Sequence, residues 1–299
     1  MNRMVELVAR AGLPLPPLEV GTAGDPGLFG PNSSFWRIGR ERVLLLGGPA
    51  ALLLQVAHPL IAAGVADQSD FRHHPYQRLT ATLDATLTIS FGDRRQAEAA
   101  AARVAATHAR VRGTLRTTVG PVAEGTPYDA ADPELALWVH ATLVETGLDT
   151  YHRFVQPLTE VQRGRYFQDA RSFGALFAVG DDVMPASYEA FRRYVESMKR
   201  GRALAVGPDA KELARHILNP PVPGPLTPVS RLARLLAASL LPPQLRTAFG
   251  LTWTRREAAV LRAAAASVRL TLPLTPPSVR YWPHYRSARR RTDARKLGG

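Results

Sequence analysis

One uncharged stretch, from Val43 to Ala66, constrains the fold of this 299-residue chain more than any other feature. Its 24 residues are enough to cross a bilayer as a single helix. However, the stretch contains Gln55, His58, two prolines and the Gly47–Gly48 pair, which interrupt a continuous apolar helix. We therefore predict that it forms buried helical structure in the core of a large helical domain.

Helical periodicity continues along most of the chain, whereas the period-2 alternation of strands is nearly absent. Asp93 and Asp132, the latter followed by Pro133, are typical residues for the start of a helix. The sequence predicts an all-α fold, a single-domain helical bundle. Its predicted helices span about 36–46, 50–64, 76–91, 94–112, 132–154, 159–177, 185–199, 208–218, 228–240, 243–249 and 254–271.

Composition shifts divide the chain into three parts. Residues 1–34 end in a segment rich in glycine and proline and are predicted to form an extended arm. Residues 35–285 form the predicted helical domain. Residues 286–299 carry six basic side chains against Asp293 and are predicted to be a basic tail.

The formal net charge of +13 raises the question of a nucleic-acid partner. Outside the tail the arginines are scattered, aromatic residues make up only 7%, and no nucleic-acid-binding motif occurs, so we do not expect such a partner. The beginning of the chain lacks a signal-peptide pattern. We expect a cytoplasmic protein, with peripheral membrane contact through the basic tail as an open possibility.

The absence of cysteine removes several chemistries together: disulfides, iron–sulfur clusters, thiolate-ligated heme and cysteine nucleophiles. Phosphate-binding glycine loops, the Gly-x-Ser-x-Gly elbow and His-Glu-x-x-His are also missing. The sequence also contains no Glu-x-x-His pair, which a helical di-iron site would require. Any metal cofactor must therefore use histidine, carboxylate, tyrosine or methionine.

Three of the eight histidines lie in apolar helical surroundings: His58, His108 and His140. Val104 and Val111 stand at i−4 and i+3 from His108, which predicts one shared apolar face. Such a histidine suits axial ligation of heme, because a neutral ring nitrogen is offered beside a flat apolar macrocycle. The residues alone still favour a core histidine at each of the three positions. Arg78 and Thr82, at i and i+4, present a guanidinium and a hydroxyl on one side of a helix.

Taken together, the segments resemble an oxygenase family that contains the latex-clearing rubber oxygenases and a fungal oxygenase that cleaves a prenyl side chain in mycophenolic acid synthesis. The resemblance extends over residues 35–290. It rests on the order and spacing of segments 54–59 (LQVAHP), 63–67 (AGVAD), Arg78-x-x-x-Thr82, Val104-x-x-x-His108-x-x-Val111-x-Gly113, Asp132-Pro133-x-Leu135, 138–142 (WVHAT), 241–243 (LPP) and Arg280-Tyr281.

The resemblance implies a helical bundle that encloses a heme b pocket, with His108 as the proximal ligand of the iron. It assigns Arg78 to a heme propionate or the pocket wall and Thr82 to a supporting hydrogen bond. His58, His140 and Thr82 are then the candidate catalytic residues. The implied chemistry uses dioxygen on a hydrophobic small-molecule substrate, which includes prenyl compounds.

Two alternatives stay open from the sequence. A non-catalytic heme-binding sensor or carrier would use the same axial histidine. A helical protein that binds lipids or small molecules without heme is suggested by Gln68, because family members often have histidine there.

Overall fold

The computed structural model describes residues 18–68, 75–220 and 224–293; the side chains of residues 68, 75–79 and 225 lie outside the described part. Within these ranges fourteen α-helices form a single domain. They are α1 Ser34–Gly39, α2 Gly48–Val56, α3 Pro59–Gln68, α4 Pro75–Phe91, α5 Arg94–His108, α6 Pro133–Phe154, α7 Glu160–Ala175, α8 Tyr188–Arg200, α9 Pro208–Leu218, α10 Thr227–Leu240, α11 Pro243–Ala248, α12 Arg255–Thr271, α13 Pro277–Arg280 and α14 Pro283–Asp293. Short 3-10 helices span Arg42–Gly47, Gly224–Leu226 and Leu272–Leu274. The predicted all-α fold is confirmed.

Local capping explains where the helices that carry the candidate site begin. The Asp93 side chain accepts a hydrogen bond from the backbone N–H of Gln96, whose own side chain accepts from the N–H of Asp93. Asp132 caps α6, with Pro133 in the first turn. Both predicted helix starts are confirmed, because each carboxylate satisfies N–H groups that have no partner within the helix.

The predicted helix over 50–64 is two helices in the structure. The axis bends by 104° between the segment Arg42–Val56 and the segment Pro59–Asp67. Pro59 has no N–H to donate and disfavours helical geometry at His58, so a new helix starts there. No single helix among the described residues is long and apolar enough to span a membrane; this bent pair meets the length and composition criteria only when its two parts are counted together.

A small antiparallel sheet lies between α5 and α6, where the sequence predicts a loop. Strand β1 (Arg112–Thr114) pairs with β2 (Pro127–Asp129), with Gly113 opposite Tyr128. The predicted helix over 94–112 therefore ends earlier, at His108. Strands of three residues are too short to show an alternating pattern, which explains why the sequence gives no sign of them.

Helix α6 runs through the centre of the domain. Trp138 and Leu148 on it are at most 1% exposed, and α2 and α7 pack against it. Of the uncharged stretch, Ala50, Leu53 and Ala57 are completely buried. The stretch is therefore core, as its composition predicts.

Helix α14 extends through most of the region assigned to a basic tail. It packs against α4, and its Ala288 and Arg291 are completely buried. The side chain of Arg291 donates hydrogen bonds to the carbonyl oxygens of Asp25, Phe91 and Gly92 at 2.7–3.0 Å. The described residues 286–293 are consequently part of the domain, because one arginine of the basic run caps backbone groups of other elements. Residues 294–299 and 1–17 lie outside the described part.

Candidate functional site

His108 is the last residue of α5 and is half-buried. Its ring centroid lies 6.4 Å from that of Phe177. The predicted apolar face with Val111 is wrong, since the helix has already ended and the Val111 N–H bonds to the His108 carbonyl across a turn. Val111 instead packs with Ala63, Leu115 and Tyr128 beside the small sheet. His108 thus lies at the point where α5 ends and the turn before β1 begins.

His140 lies on α6 and is only 6% exposed. Among the described residues its Nε2 atom is buried without a hydrogen-bond partner. Burial disfavours the charged ring and lowers the pKa of His140 to about 4. The imidazole is therefore neutral at pH 7, which is the form that binds a metal or accepts a proton.

Two phenylalanines link these histidines. The Phe173 ring lies 6.4 Å from the His140 ring and 5.2 Å from the Phe177 ring, which in turn adjoins His108. We name His140, Phe173, Phe177 and His108 the aromatic line. Neither phenylalanine is a candidate site residue from the sequence. Their i, i+4 spacing near the end of a predicted helix indicates only that the two rings are neighbours.

Close packing surrounds the buried end of the aromatic line. A Cβ atom at Gly174 would come within 2.7 Å of the Met184 Cε atom and 3.4 Å of the His140 Nε2 atom. A side chain at position 174 would therefore displace the end of Met184 and contact the imidazole. Gly174 keeps open the space that His140 occupies.

His58 lies at the bend between α2 and α3 and is partly buried. Its Nδ1 atom is buried and has no hydrogen-bond partner in the described part. Burial lowers the pKa of His58, and the negative charge of Asp132 partly opposes this shift. His58 is thus a second neutral imidazole with an unused ring nitrogen, near the start of α6.

Arg78 and Thr82 lie on α4, which packs along α5, the helix that ends at His108. The side chain of Arg78 lies outside the described residues. Thr82 is exposed, and its carbonyl accepts a hydrogen bond from the Thr86 hydroxyl. The structure connects His108 to His140 only through the two phenylalanine rings between them, and the predicted roles of Arg78 and Thr82 stay predictions.

The potential metal ligands of the domain are dispersed. Across residues 18–68, 75–220 and 224–293, no three His, Asp or Glu side chains cluster closely enough to hold a bare ion. A heme brings four nitrogen ligands of its own and asks the protein for one axial ligand and apolar walls. The half-buried His108, with the Phe177 ring beside it, offers one such ligand and an apolar neighbour.

The segments that carry the family resemblance bond to one another in the fold. The Trp138 indole N–H donates to the Leu54 carbonyl at 3.0 Å, and the Gln55 amide donates to the Thr142 hydroxyl at 2.9 Å. The Tyr128 hydroxyl donates to the Asp67 carboxylate at 2.7 Å, which fastens β2 to α3. Segments 54–59 and 138–142 are thus bonded directly to each other beside His140, and segment 63–67 is held to β2.

Comparison with known proteins supports the same grouping. Two similar proteins are the uncharacterised protein Mb2261 of Mycobacterium bovis and the uncharacterised protein Rv2237 of Mycobacterium tuberculosis. Each is 29% identical to this chain over 218 residues, which cover 70% of this chain and 81% of the relative. No solved structure matches. The model of the family described as ER-bound oxygenase mpaB/B'/rubber oxygenase, catalytic domain, matches residues 36–270, and the chain therefore belongs to this oxygenase family.

Proposed function

We propose that this oxygenase-family protein is a heme b-dependent oxygenase that acts with dioxygen on a hydrophobic small molecule. The observation that carries the proposal is the aromatic line, in which Phe173 and Phe177 connect the half-buried His108 with the buried His140. Family membership supports the oxygenase class, and the donor set supports a cofactor that needs one axial histidine.

In this proposal each residue of the aromatic line has a distinct task. His108 would hold the heme iron through a ring nitrogen, and heme, when bound, would supply the activation of dioxygen. Phe173 and Phe177 provide an apolar wall that keeps water from the reacting region and favours a prenyl-like or other hydrophobic substrate. His140 stays neutral at pH 7, so it is able to accept a proton without adding a buried charge beforehand.

Replacing His108 by alanine tests the ligand assignment. We expect His108→Ala to lose most of its heme, because the single axial bond from the protein is removed. Protein expressed with heme supply would be measured by its Soret absorbance and by pyridine extraction, which quantifies heme b per chain. Added imidazole should partly restore the Soret band of this variant, since it replaces the missing ring.

Two further variants distinguish ligation from loss of structure. His216→Ala changes an exposed histidine on α9 and should retain its heme. His140→Ala should retain heme with an altered spectrum. If His108→Ala keeps one heme per chain with an unchanged spectrum, or if heme is lost only with His140→Ala, the assignment of His108 is wrong.

Oxygen uptake separates an oxygenase from a heme-binding sensor or carrier. Heme-loaded protein should consume dioxygen when an isoprenoid such as squalene is added in detergent, and His108→Ala should abolish that uptake. A heme-loaded protein that consumes no dioxygen with any of a panel of hydrophobic substrates would favour the non-catalytic alternative.

A further inference from the structure

A cleft on another part of the molecule has the features of an anion site. It lies between the loop before α1, helix α1 itself, α7 and α14, and its volume is about 300 Å³. The polar groups that line it include Ser33, Arg37, Arg40, Arg165 and Tyr285. We name this cleft the arginine pocket.

The arginine pocket has three positive charges and no acidic residue in its lining. The buried Glu41 carboxylate accepts two hydrogen bonds from Arg280 at 2.7 and 2.8 Å, and it also forms an ion pair with the Arg40 Nε atom at 3.7 Å. Arg165 is exposed and has no ion pair within the described part of the chain. One carboxylate is thus shared between Arg40 and Arg280, and the three arginines of the lining carry more positive charge than this carboxylate balances.

Donor groups in the arginine pocket are also unused. The Nε atoms of Arg37 and Arg40 are buried and have no hydrogen-bond partner among the described residues. Arg40 is held in place from the other side, since its Nη1 donates to the Tyr285 hydroxyl at 3.1 Å and its guanidinium lies 4.6 Å from the Tyr281 ring centroid. A desolvated guanidinium with unmade hydrogen bonds is unfavourable unless an acceptor completes it.

We propose that the arginine pocket binds the phosphate group of a phosphomonoester. Arginine forms strong, directional hydrogen bonds with phosphate oxygens, and three guanidiniums suit a dianion better than the single charge of a carboxylate. The Tyr285 hydroxyl accepts a hydrogen bond from Arg40 and has its own proton to donate to the phosphate. The cleft exceeds the size of a phosphate group, which leaves room for part of the esterified alcohol. This site does not depend on heme or on the aromatic line.

Calorimetric titration of the full chain with glycerol 1-phosphate and with inorganic phosphate tests the proposal. Arg165→Gln should weaken binding about tenfold or more, because one charge-assisted contact is lost. Arg165 is exposed, so this substitution leaves the folded core intact. Arg37→Gln should have a similar effect. Arg256→Gln, which removes the same charge from an exposed position on α12, should leave the affinity unchanged.

Vesicles distinguish a lipid headgroup from a soluble ester. If the phosphate belongs to a lipid, phosphatidylcholine vesicles that contain phosphatidic acid should bind wild type but not Arg165→Gln, and pure phosphatidylcholine should bind neither. If it belongs to a soluble ester, glycerol 1-phosphate binding alone should respond to Arg165→Gln. The proposal is overturned if neither probe binds, if Arg256→Gln weakens binding as much as Arg165→Gln, or if succinate binds as tightly as glycerol 1-phosphate.

Discussion

His140 shows how one buried side chain affects both chemistry and stability. Its imidazole is 6% exposed and lacks a partner for Nε2 among the described residues. A polar atom left without a hydrogen bond in an apolar interior costs free energy of folding. A bound water, a ligand or a proton-transfer role would offset this cost.

The pH dependence of stability should report this burial. The pKa of His140 is about 4 in the folded chain and 6.5 as its ordinary value, so the unfolded state binds the proton first as pH falls. The contribution of His140 is fully present above pH 6.5 and is lost as pH falls to about 4. The free energy of unfolding of heme-free protein should decrease with a slope of up to about 1.4 kcal/mol per pH unit in this window.

Urea unfolding at several pH values would measure this slope in wild type and in His140→Gln. The variant should show a smaller slope between pH 6.5 and 4, because one group that titrates there is gone. Phe173→Leu, which alters the neighbouring ring and adds no titrating group, should be less stable at every pH with the wild-type slope. Equal slopes in wild type and His140→Gln would contradict the prediction.

Ala178 lies directly after Phe177 and has a φ of +62°, the only positive φ of a non-glycine residue in the described part. The N–H of Val179 bonds to the Gly174 carbonyl across this turn, which ends α7 with a left-handed residue. Alanine is strained in this conformation, whereas glycine adopts it readily.

Ala178→Gly should therefore raise the free energy of unfolding by about 0.5–1 kcal/mol, measured in urea. Ala175→Gly is the matched control. Residue 175 belongs to the last turn of α7, where glycine should lower stability by about 0.5–1 kcal/mol. A loss of stability with Ala178→Gly would show that other contacts set the conformation of this turn.

Among the secondary-structure elements, helix α14 is part of the domain although its basic sequence predicts a tail. A run of basic residues usually forms a solvated face, and this is why residues 286–299 are predicted to be a tail. In the structure Arg291 reaches two carbonyl groups at the end of α4 and one in the loop before α1. Gly27 in this loop has a φ of +71°, and any side chain there would collide with the Gly92 carbonyl. One arginine thus joins three separate parts of the chain.

Arg291→Met should lower the free energy of unfolding by about 2–4 kcal/mol, because three hydrogen bonds from a charged group are lost and buried carbonyls are left without donors. Arg290→Met removes the same charge from an exposed neighbour on α14 and should change stability by less than about 0.5 kcal/mol. Thermal unfolding monitored by circular dichroism compares the two. Similar effects of both substitutions would mean that net charge, and not the buried contacts, governs the role of α14.

Elements with local signals were predictable from the sequence, and those without such signals were not. Asp93 and Asp132 mark helix starts through caps that depend on neighbouring residues only. Pro59 marks a break, but a single residue does not reveal that the bend is 104°. The pairing of Gly113 with Tyr128 depends on residues far apart in the chain, so no local pattern shows it.

For the molecule as a whole, family resemblance and fold class were accessible from the sequence, and the site was accessible only in part. His108 and His140 were candidates because their surroundings are apolar along the chain. Their connection arises because Phe173 on α7 contacts His140 on α6, and Phe177 in the turn after α7 contacts His108 at the end of α5, which no spacing in the sequence encodes. The arginine pocket combines residues from three regions and is likewise a product of tertiary structure.

The contacts of Arg291 also have a consequence for the order in which the molecule can assemble. They join residues that are 200 and 266 positions apart in sequence. During synthesis the end of α4 leaves the ribosome long before its partner has been translated, and closing so long a loop is slow. Until α14 has been synthesised, the carbonyl oxygens of Phe91 and Gly92 must accept hydrogen bonds from water or from other donors of the chain. The nascent chain thus has an interval of exposure in which chaperone binding or premature degradation competes with completion of the fold.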